Sequence, residues 1–209
     1  MLLPLPSAAC DFLQHYAYDA QLRWSPDDFL AQQKFVARQT EAKRWADWST
    51  SSAALQLLQG GQWPAAIGVG GPCETILLAG PMAELWAAED LLCCAVEQLQ
   101  PVGQVVGIIP CLRDNSPESQ MFMKLTGATL WAYQTAEELL EIIGEAGLTV
   151  SSEPSGFVAV PRFNEAVQKD ELRFKGFHEV FLRLEAEGYD PMEVGWGELR
   201  FVAECPNGS

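Results

Sequence analysis

Two short apolar runs separated by a helical pattern constrain the fold of this 209-residue chain most strongly. Thr75–Ala79 is closed by Gly80-Pro81, and Val105–Ile109 is followed by Pro110. Apolar runs of this length between breakers are typical of strands that are buried on both faces of a sheet. Across Met82–Gln98, apolar residues recur at three- and four-residue steps, which predicts an amphipathic helix between the strands. A strand, a helix and a strand within about 35 residues predict a right-handed parallel crossover.

Helices and strands continue to alternate towards the C-terminus. Ser116-Pro117-Glu118 opens a helix, because serine caps helices and proline suits the first helical position. Thr135–Glu138 has the Thr-x-x-Glu sequence of a capping box, and Leu148–Val150 begins a third strand after that helix. Three further elements are predicted, namely a short strand at Phe157–Val160, a helix over Asn164–Leu184 and a final, alternating strand near Leu199–Glu204.

The first 61 residues predict helices rather than strands. One helix covers residues 8–23, and a second starts at Ser25-Pro26 and runs to about Trp48, with polar residues interrupting its apolar side. An interrupted apolar face is expected where a helix packs on the surface of a domain or on a partner. We therefore divide the chain into a helical N-terminal segment, residues 1–61, and an α/β domain, residues 62–209.

Four motifs occur in an order that resembles a known fold. They are Glu74 at the start of a buried strand, Leu99–Gly103 before the next strand, Thr135–Glu138 leading to Ala146-Gly147, and the closing Gly197–Glu204. Together, roughly residues 70–205 resemble the latter half of class I S-adenosylmethionine-dependent methyltransferases, although Val102 replaces the first of two glycines that the family has. The resemblance implies an α/β fold with a partial Rossmann-like sheet, mostly parallel with an antiparallel last strand, and S-adenosylmethionine as the cofactor if one is bound.

The half of the family fold that grips the cofactor has no visible counterpart. In the family a glycine loop follows strand one and opens a helix, whereas Gly68, Gly70 and Gly71 lead into Pro72 and the next strand. These glycines are either an atypical cofactor loop or a plain turn between two strands. No acidic residue ends a second strand to hold the ribose hydroxyls. The part of the chain before Glu74 has no room for strands one to three of the family fold, which take about 80–90 residues in the usual layout.

Open parallel sheets bind ligands outside the carboxyl ends of their strands, and this rule selects two loops. The first holds Gly80 and Met82, which join Glu74, by the resemblance, as candidate cofactor-binding residues. The second carries Arg113, which could bind a carboxylate or a phosphate, and Asp114, which could orient a hydroxyl or act as a base. The alternative for Asp114 is a turn that caps the following helix.

The segment before the last strand often shapes the substrate pocket in the family. The resemblance therefore makes Phe174 and Trp196 candidate substrate-binding residues, and the alternative is that the aromatic side chains of this segment cover the sheet. No residue is predicted to be catalytic, because methyl transfer depends mainly on the alignment of an activated methyl group with a nucleophile. Cys111 lacks the sequence context of a Cys-His nucleophile.

Charge and cysteine spacing exclude several classes of function. The net charge of −15, from 13 basic and 28 acidic residues, argues against nucleic acid or an anionic membrane as the main partner. The six cysteines show no CxxC spacing, and no cluster of ligating residues predicts a metal site. No apolar run approaches the roughly 20 residues of a membrane span, and the first residues do not form a convincing signal peptide. We therefore expect a cytoplasmic protein.

Three functions remain open from the sequence. The first is a methyltransferase-like protein with a reduced or absent cofactor site. It would serve as a structural subunit, or bind a protein partner or a second copy of itself through the N-terminal helices, or pair with a chain that supplies the missing strands. The second is an active class I methyltransferase that acts on a small molecule, with residues 1–70 building a compressed cofactor half. The third is an internal deletion that leaves a fragment without a selected function.

Overall fold

The fold is a six-stranded sheet with helices on both faces. The computed structural model describes residues 26–41, 43–49, 72–85, 87–126, 134–152, 154–159, 162–169 and 175–206. The strands are β1 (Trp45–Asp47), β2 (Cys73–Leu78), β3 (Leu99–Leu112), β4 (Thr149–Val150), β5 (Gly156–Ala159) and β6 (Trp196–Glu204). The helices are α1 (Pro26–Thr40), α2 (Gly80–Leu85), α3 (Ala88–Gln98), α4 (Pro117–Thr126), α5 (Ala136–Glu145), α6 (Arg162–Lys169) and α7 (Lys175–Ala186), with a 3₁₀ turn at Pro191–Glu193.

All described strands except β6 run in the same direction. β1, β2 and β3 pair side by side in parallel, with Asp47 opposite Leu77 and Leu77 opposite Val106. β6 is antiparallel to β3, and β4 and β5 both pair with the other edge of β6 in the antiparallel sense. The predicted fold class, a mostly parallel sheet with an antiparallel last strand, is therefore confirmed.

The N-terminal helix ends earlier than the sequence predicts, and the prediction that it reaches Trp48 is wrong. α1 stops at Thr40, and Trp45–Asp47 is a strand within residues 1–61, which we expected to be helical. Trp45 and Trp48 are three residues apart, so their spacing imitates one face of a helix. In the strand they point to opposite sides, since Trp45 is 37% exposed and Trp48 is fully buried.

β3 continues beyond Pro110, where the sequence predicted that it would stop. The backbone N–H of Leu112 donates to the carbonyl of Gln134, on the side of β3 that faces away from β6. Pro110 lies two residues earlier on the same strand, so its nitrogen also faces away from β6. β2 does not reach this level, because its last pair with β3 is Leu78 with Gly107. The proline therefore removes no hydrogen bond from the β2–β3 or β3–β6 ladder, and the strand continues through it.

The helix predicted over Met82–Gln98 is divided into α2 and α3, because Ala87 between them has an extended backbone. Within the helix predicted over Asn164–Leu184 the structure describes α6 and α7, and residues 170–174 lie outside the described residues. The capping box at the start of α5 is present, because the Thr135 hydroxyl accepts from the N–H of Glu138 and the Glu138 carboxylate accepts from the N–H of Thr135. Caps were easier to predict than helix lengths, since a cap depends on two side chains that are close in sequence.

The two faces of the sheet carry different cores. The back face, which includes Ile76, Val105 and Phe201, packs against α2, α3 and α5. The front face comprises Leu77, Ala79, Val106, Ile108 and Val202, and α1 lies across it through Phe35 and Val36. A third, smaller cluster of apolar side chains joins the end of β3 to α4, α6 and α7.

Candidate functional site

The carboxyl ends of β1, β2 and β3 form the edge of the sheet where a ligand is expected. We call this the C-edge, and define it by Asp47–Ser49, Ala79–Met82 and Leu112–Asp114. Trp196 lies beside it, because antiparallel β6 starts opposite Leu112. The fold therefore brings the predicted residues Gly80, Met82, Arg113, Asp114 and Trp196 to one region of the molecule.

Glu74 does not belong to the C-edge. It lies near the amino end of β2, four residues before Leu78, which places it about 13 Å along the strand from the carboxyl end. Its Oε2 accepts from the N–H of Arg44 at 2.8 Å, and the Arg44 carbonyl accepts from the N–H groups of Glu74 and Thr75. Glu74 therefore ties the start of β1 to β2, and it cannot share a binding site with Gly80.

The tryptophan that follows β1 is buried in the core of the back face. Trp48 is fully buried, and its backbone N–H donates to the carbonyl of Leu77 at 2.9 Å. Asp47 Oδ1 accepts from both the N–H and the hydroxyl of Ser49, which makes a tight turn after the strand. By the resemblance, a glycine loop would follow this strand, but residues 50–71, which include Gly68, Gly70 and Gly71, lie outside the described residues.

The loop after β2 has one exposed feature and one buried one. Gly80 has φ of 59°, a left-handed conformation that glycine adopts without strain, and it begins α2 directly after the strand. The side chain of Met82 is fully buried in the core of the back face. Of the two predicted residues, Gly80 is therefore placed to meet a ligand at this loop and the Met82 side chain is not.

The loop after β3 is polar and half exposed. Arg113 Nε donates to Asp114 Oδ2 at 2.9 Å, and their side chains are 55% and 46% exposed. Asp114 Oδ1 accepts from the N–H of Ser116, and the Ser116 hydroxyl accepts from the N–H of Ser119. The hydrogen bond from Arg113 holds the pKa of the Asp114 carboxyl below its usual value. Asp114 thus makes the turn and cap contacts, and a lowered pKa makes it a weaker base than an ordinary carboxylate.

Trp196 is part of the smaller core rather than of an open pocket. It is buried with Leu112, Phe122 and Phe181, and the two phenylalanine rings meet edge to face with centroids 6.3 Å apart. Asn164, also buried, donates from Nδ2 to the carbonyls of Pro191, Met192 and Val194, and so fixes the turn that leads into β6. Phe174 lies outside the described residues.

The thiol beside the C-edge is fully buried, in surroundings that disfavour the thiolate. Burial raises the pKa of Cys111 to about 12, so that it is protonated at neutral pH. Within the described part of the chain, no group of three or more His, Cys, Asp or Glu side chains is placed to hold a metal ion. Nor does any described helix combine the length and apolar character needed to cross a membrane. The cytoplasmic location expected from the sequence stays a prediction.

Sequence reasoning missed two buried side chains that define the region. The first is Trp48, which the helical interpretation placed on the wrong element. The second is Glu198, a fully buried carboxylate on β6 that accepts from Arg200 and from Gln32 of α1. The signal for Glu198 was available, because an acid followed two residues later by an arginine inside an apolar strand indicates a buried ion pair.

Comparisons with known proteins identify the fold. No protein-family model and no curated protein matches the sequence. Among solved structures, an S-adenosylmethionine-dependent methyltransferase from Thiobacillus denitrificans with S-adenosyl-L-homocysteine matches at a TM-score of 0.50 and 13% identity, over 98% of this chain and 100% of that one. The chain has the class I methyltransferase fold. YjhP from E. coli matches this fold at a TM-score of 0.51 and 11% identity, over 99% of each chain.

A third match is a phosphoethanolamine N-methyltransferase from Haemonchus contortus with S-adenosyl-L-methionine, at a TM-score of 0.51 and 11% identity. It covers 93% of this chain and 56% of that one. In the methyltransferase fold, β2, β3, β4 and β6 correspond to strands four to seven. β1 lies beside β2, where doubly wound sheets place strand one. The expectation that strands one to three together have no room stays a prediction, because residues 1–25 and 50–71 lie outside the described residues.

Proposed function

We propose that this protein has the methyltransferase fold with a reduced or absent S-adenosylmethionine site, and that it works as a partner-binding or structural subunit. The connection between β1 and β2 carries the proposal. The two strands are adjacent and parallel, and residues 48–72, 25 in all, join them. One crossover takes at least about 10–12 residues, and a full strand–helix–strand unit takes about 30. The connection is thus long enough for one crossover and too short for strands two and three with their helices.

The direction of the strand order supports the same proposal. Doubly wound folds bind nucleotides where the strand order reverses, because two connections leave that point in opposite directions. In the described sheet, β1, β2 and β3 follow one another across the sheet in the same direction. A short connection after β1 therefore favours a sheet without the crevice in which the family binds its cofactor. The buried Trp48 at the end of β1 agrees with this.

The partner-binding role is supported by the surface around β1. β1 is the outermost strand of the sheet that the structure describes, and outer strands are places where a second chain can pair. Trp45 on this strand is 37% exposed. A large exposed aromatic side chain on an outer strand is typical of a protein contact. We expect a protein partner, or a second copy of this chain, to bind here.

The alternative is an active methyltransferase that acts on a small molecule. One observation favours it, namely that the match to the Thiobacillus methyltransferase extends over its whole length. This alternative requires the segment between β1 and β2, which contains Gly68, Gly70 and Gly71, to build a compressed cofactor loop. Arg113 would then be the cation nearest the C-edge for an acidic substrate.

Calorimetric titration with S-adenosylmethionine and S-adenosylhomocysteine separates the two proposals. The sample is first shown to be folded by a cooperative thermal transition. We expect no binding heat at ligand concentrations up to the millimolar range. Micromolar binding of either compound would overturn the reduced-site proposal, and Gly70→Val would then be the first variant to test the compressed loop.

A second experiment addresses the partner-binding role. Light scattering after size-exclusion chromatography measures the mass of the protein alone, over a hundredfold range of concentration. Self-association that is lost in Trp45→Glu and kept in Leu182→Glu, an exposed residue of α7, which packs against α4 and α6, would support the surface around β1. A monomer at every concentration would exclude the second copy as the partner.

A further inference from the structure

α1 covers the front face of the sheet with little burial of its own side chains. None of the α1 side chains that the structure describes, Asp27 and Leu30–Thr40, is fully buried. Phe35 and Val36 are half-buried against the sheet. By contrast, α3 and α5 on the back face each bury four apolar residues. Because burial of apolar surface is the main force that holds a helix on a sheet, the described side chains of α1 hold it more weakly than those of α3 and α5 hold their helices.

Two amide hydrogen bonds join α1 to the sheet. At the middle of the helix, Gln32 Nε2 donates to Oε2 of the buried Glu198 at 2.7 Å. Near its C-terminal end, the Gln39 carbonyl accepts from Nε2 of Gln104 on β3 at 3.0 Å. This half of the helix therefore runs from β6 near the C-edge towards the amino half of β3.

Glu198 keeps an ionic partner when α1 is absent. Its Oε1 accepts from Arg200 Nε at 2.6 Å and lies 2.5 Å from a second nitrogen of the same guanidinium. Both residues belong to β6, so their contact does not depend on α1. Departure of α1 would let water reach this pair, and hydration of the charges would offset part of the lost contact with Gln32.

We infer that α1 is a strap that leaves the front face and returns to it while the sheet and the back-face helices stay folded. Such local opening is expected where few apolar contacts hold an element. In the open form, the front-face side chains of β2, β3 and β6 meet solvent, and the Glu198–Arg200 pair stays together on β6. This inference goes beyond the proposed function, since the strap opens whether or not a cofactor binds.

Hydrogen exchange with matched variants tests the strap. Gln32→Glu places a carboxylate against Oε2 of Glu198, and repulsion between like charges favours the open form. Gln33→Glu makes the same change on the neighbouring, exposed residue of α1. We expect the amides of α1 to exchange at least ten times faster in Gln32→Glu than in the wild type. The amides of α3 and α5 should be unchanged, and Gln33→Glu should match the wild type.

Three results would overturn the inference. If the wild-type amides of α1 exchange as slowly as those of α3 and α5, the three helices open together as one cooperative unit. Faster exchange throughout the molecule in Gln32→Glu would show that the Glu198 contacts support the whole fold. Equal exchange in the two variants would show that the Gln32–Glu198 hydrogen bond does not hold the helix.

Discussion

Gly107 on β3 lies directly opposite Phe201 on β6, and the phenylalanine ring occupies the space that a side chain at residue 107 would need. A Cβ at this position would come within 2.0 Å of the ring. The ring is fully buried in the back-face core, so it has little room to move. We predict that Gly107→Ala lowers the free energy of unfolding by about 1–3 kcal/mol, the usual cost of overpacking.

The matched control for this prediction is Gly144→Ala. Gly144 is an exposed residue of α5, and a Cβ there would meet no atom within 4 Å. Alanine is the better helix former, so this variant should gain about 0.5–1 kcal/mol. Urea unfolding measures both values, and equal effects of the two substitutions would contradict the packing described here.

Thr75 places a hydroxyl in the interior without a hydrogen bond. The residue is fully buried on β2, and its Oγ1 has no hydrogen-bond partner among the described residues. Burying such a group costs free energy, so Thr75→Val, which has a similar shape, should stabilise the protein by up to about 1 kcal/mol. Thermal or urea unfolding tests the sign of the change.

Thr135→Val is the corresponding control at a buried threonine with an intact hydrogen bond. Its hydroxyl caps α5, so the substitution should cost about 1 kcal/mol. Destabilisation of similar size in both threonine variants would show that the Thr75 hydroxyl has a favourable contact after all.

At the scale of elements, the strand β1 and the helix predicted there make opposite predictions for two tryptophans. In a strand, Trp45 and Trp48 point to opposite sides, whereas in a helix residues three apart share one face. We predict that Trp48→Ala costs about 3–5 kcal/mol, as expected for a buried aromatic residue. Trp45→Ala should change the stability by less than about 1 kcal/mol. Similar losses in the two variants, measured by urea unfolding, would contradict the strand.

Elements that depend on local patterns could be predicted, and those that depend on distant contacts could not. The strands at Thr75–Ala79 and Val105–Ile109 were predictable because both faces are buried, which removes polar residues from the run. β1 was not predictable, because three residues are too few to show a period of two. The extension of β3 past Pro110 depends on where β2 ends, and that is fixed only by the register of the two strands.

The same distinction applies to the candidate site. The loops of Gly80 and Arg113 could be predicted, because the rule for carboxyl ends needs only the order of strands and loops. The resemblance assigned Glu74 to the cofactor, and its place at the amino end of β2 separates it from the C-edge. The burial of Met82 and Trp196 depends on helices that are far away in sequence, so no local pattern could show it.

At the scale of the whole molecule, the fold and the proposed activity rest on different observations. The fold rests on strand order, direction and register, together with matches to solved structures over nearly the full chain. The proposed loss of the cofactor site rests on the short connection between β1 and β2 and on the buried Trp48 after β1. A protein can keep a fold while losing the site that the fold usually carries, since function depends on particular residues.

Thermal unfolding with and without 1 mM S-adenosylmethionine tests the central claim most directly. A ligand present at about 1,000 times its dissociation constant stabilises the folded state by about 4 kcal/mol. For a chain of this size, that stabilisation raises Tm by about 8–16 °C. The reduced-site account predicts no change in Tm beyond the error of the measurement. A rise of that size would contradict it, and would show that the chain binds the cofactor despite the short connection after β1.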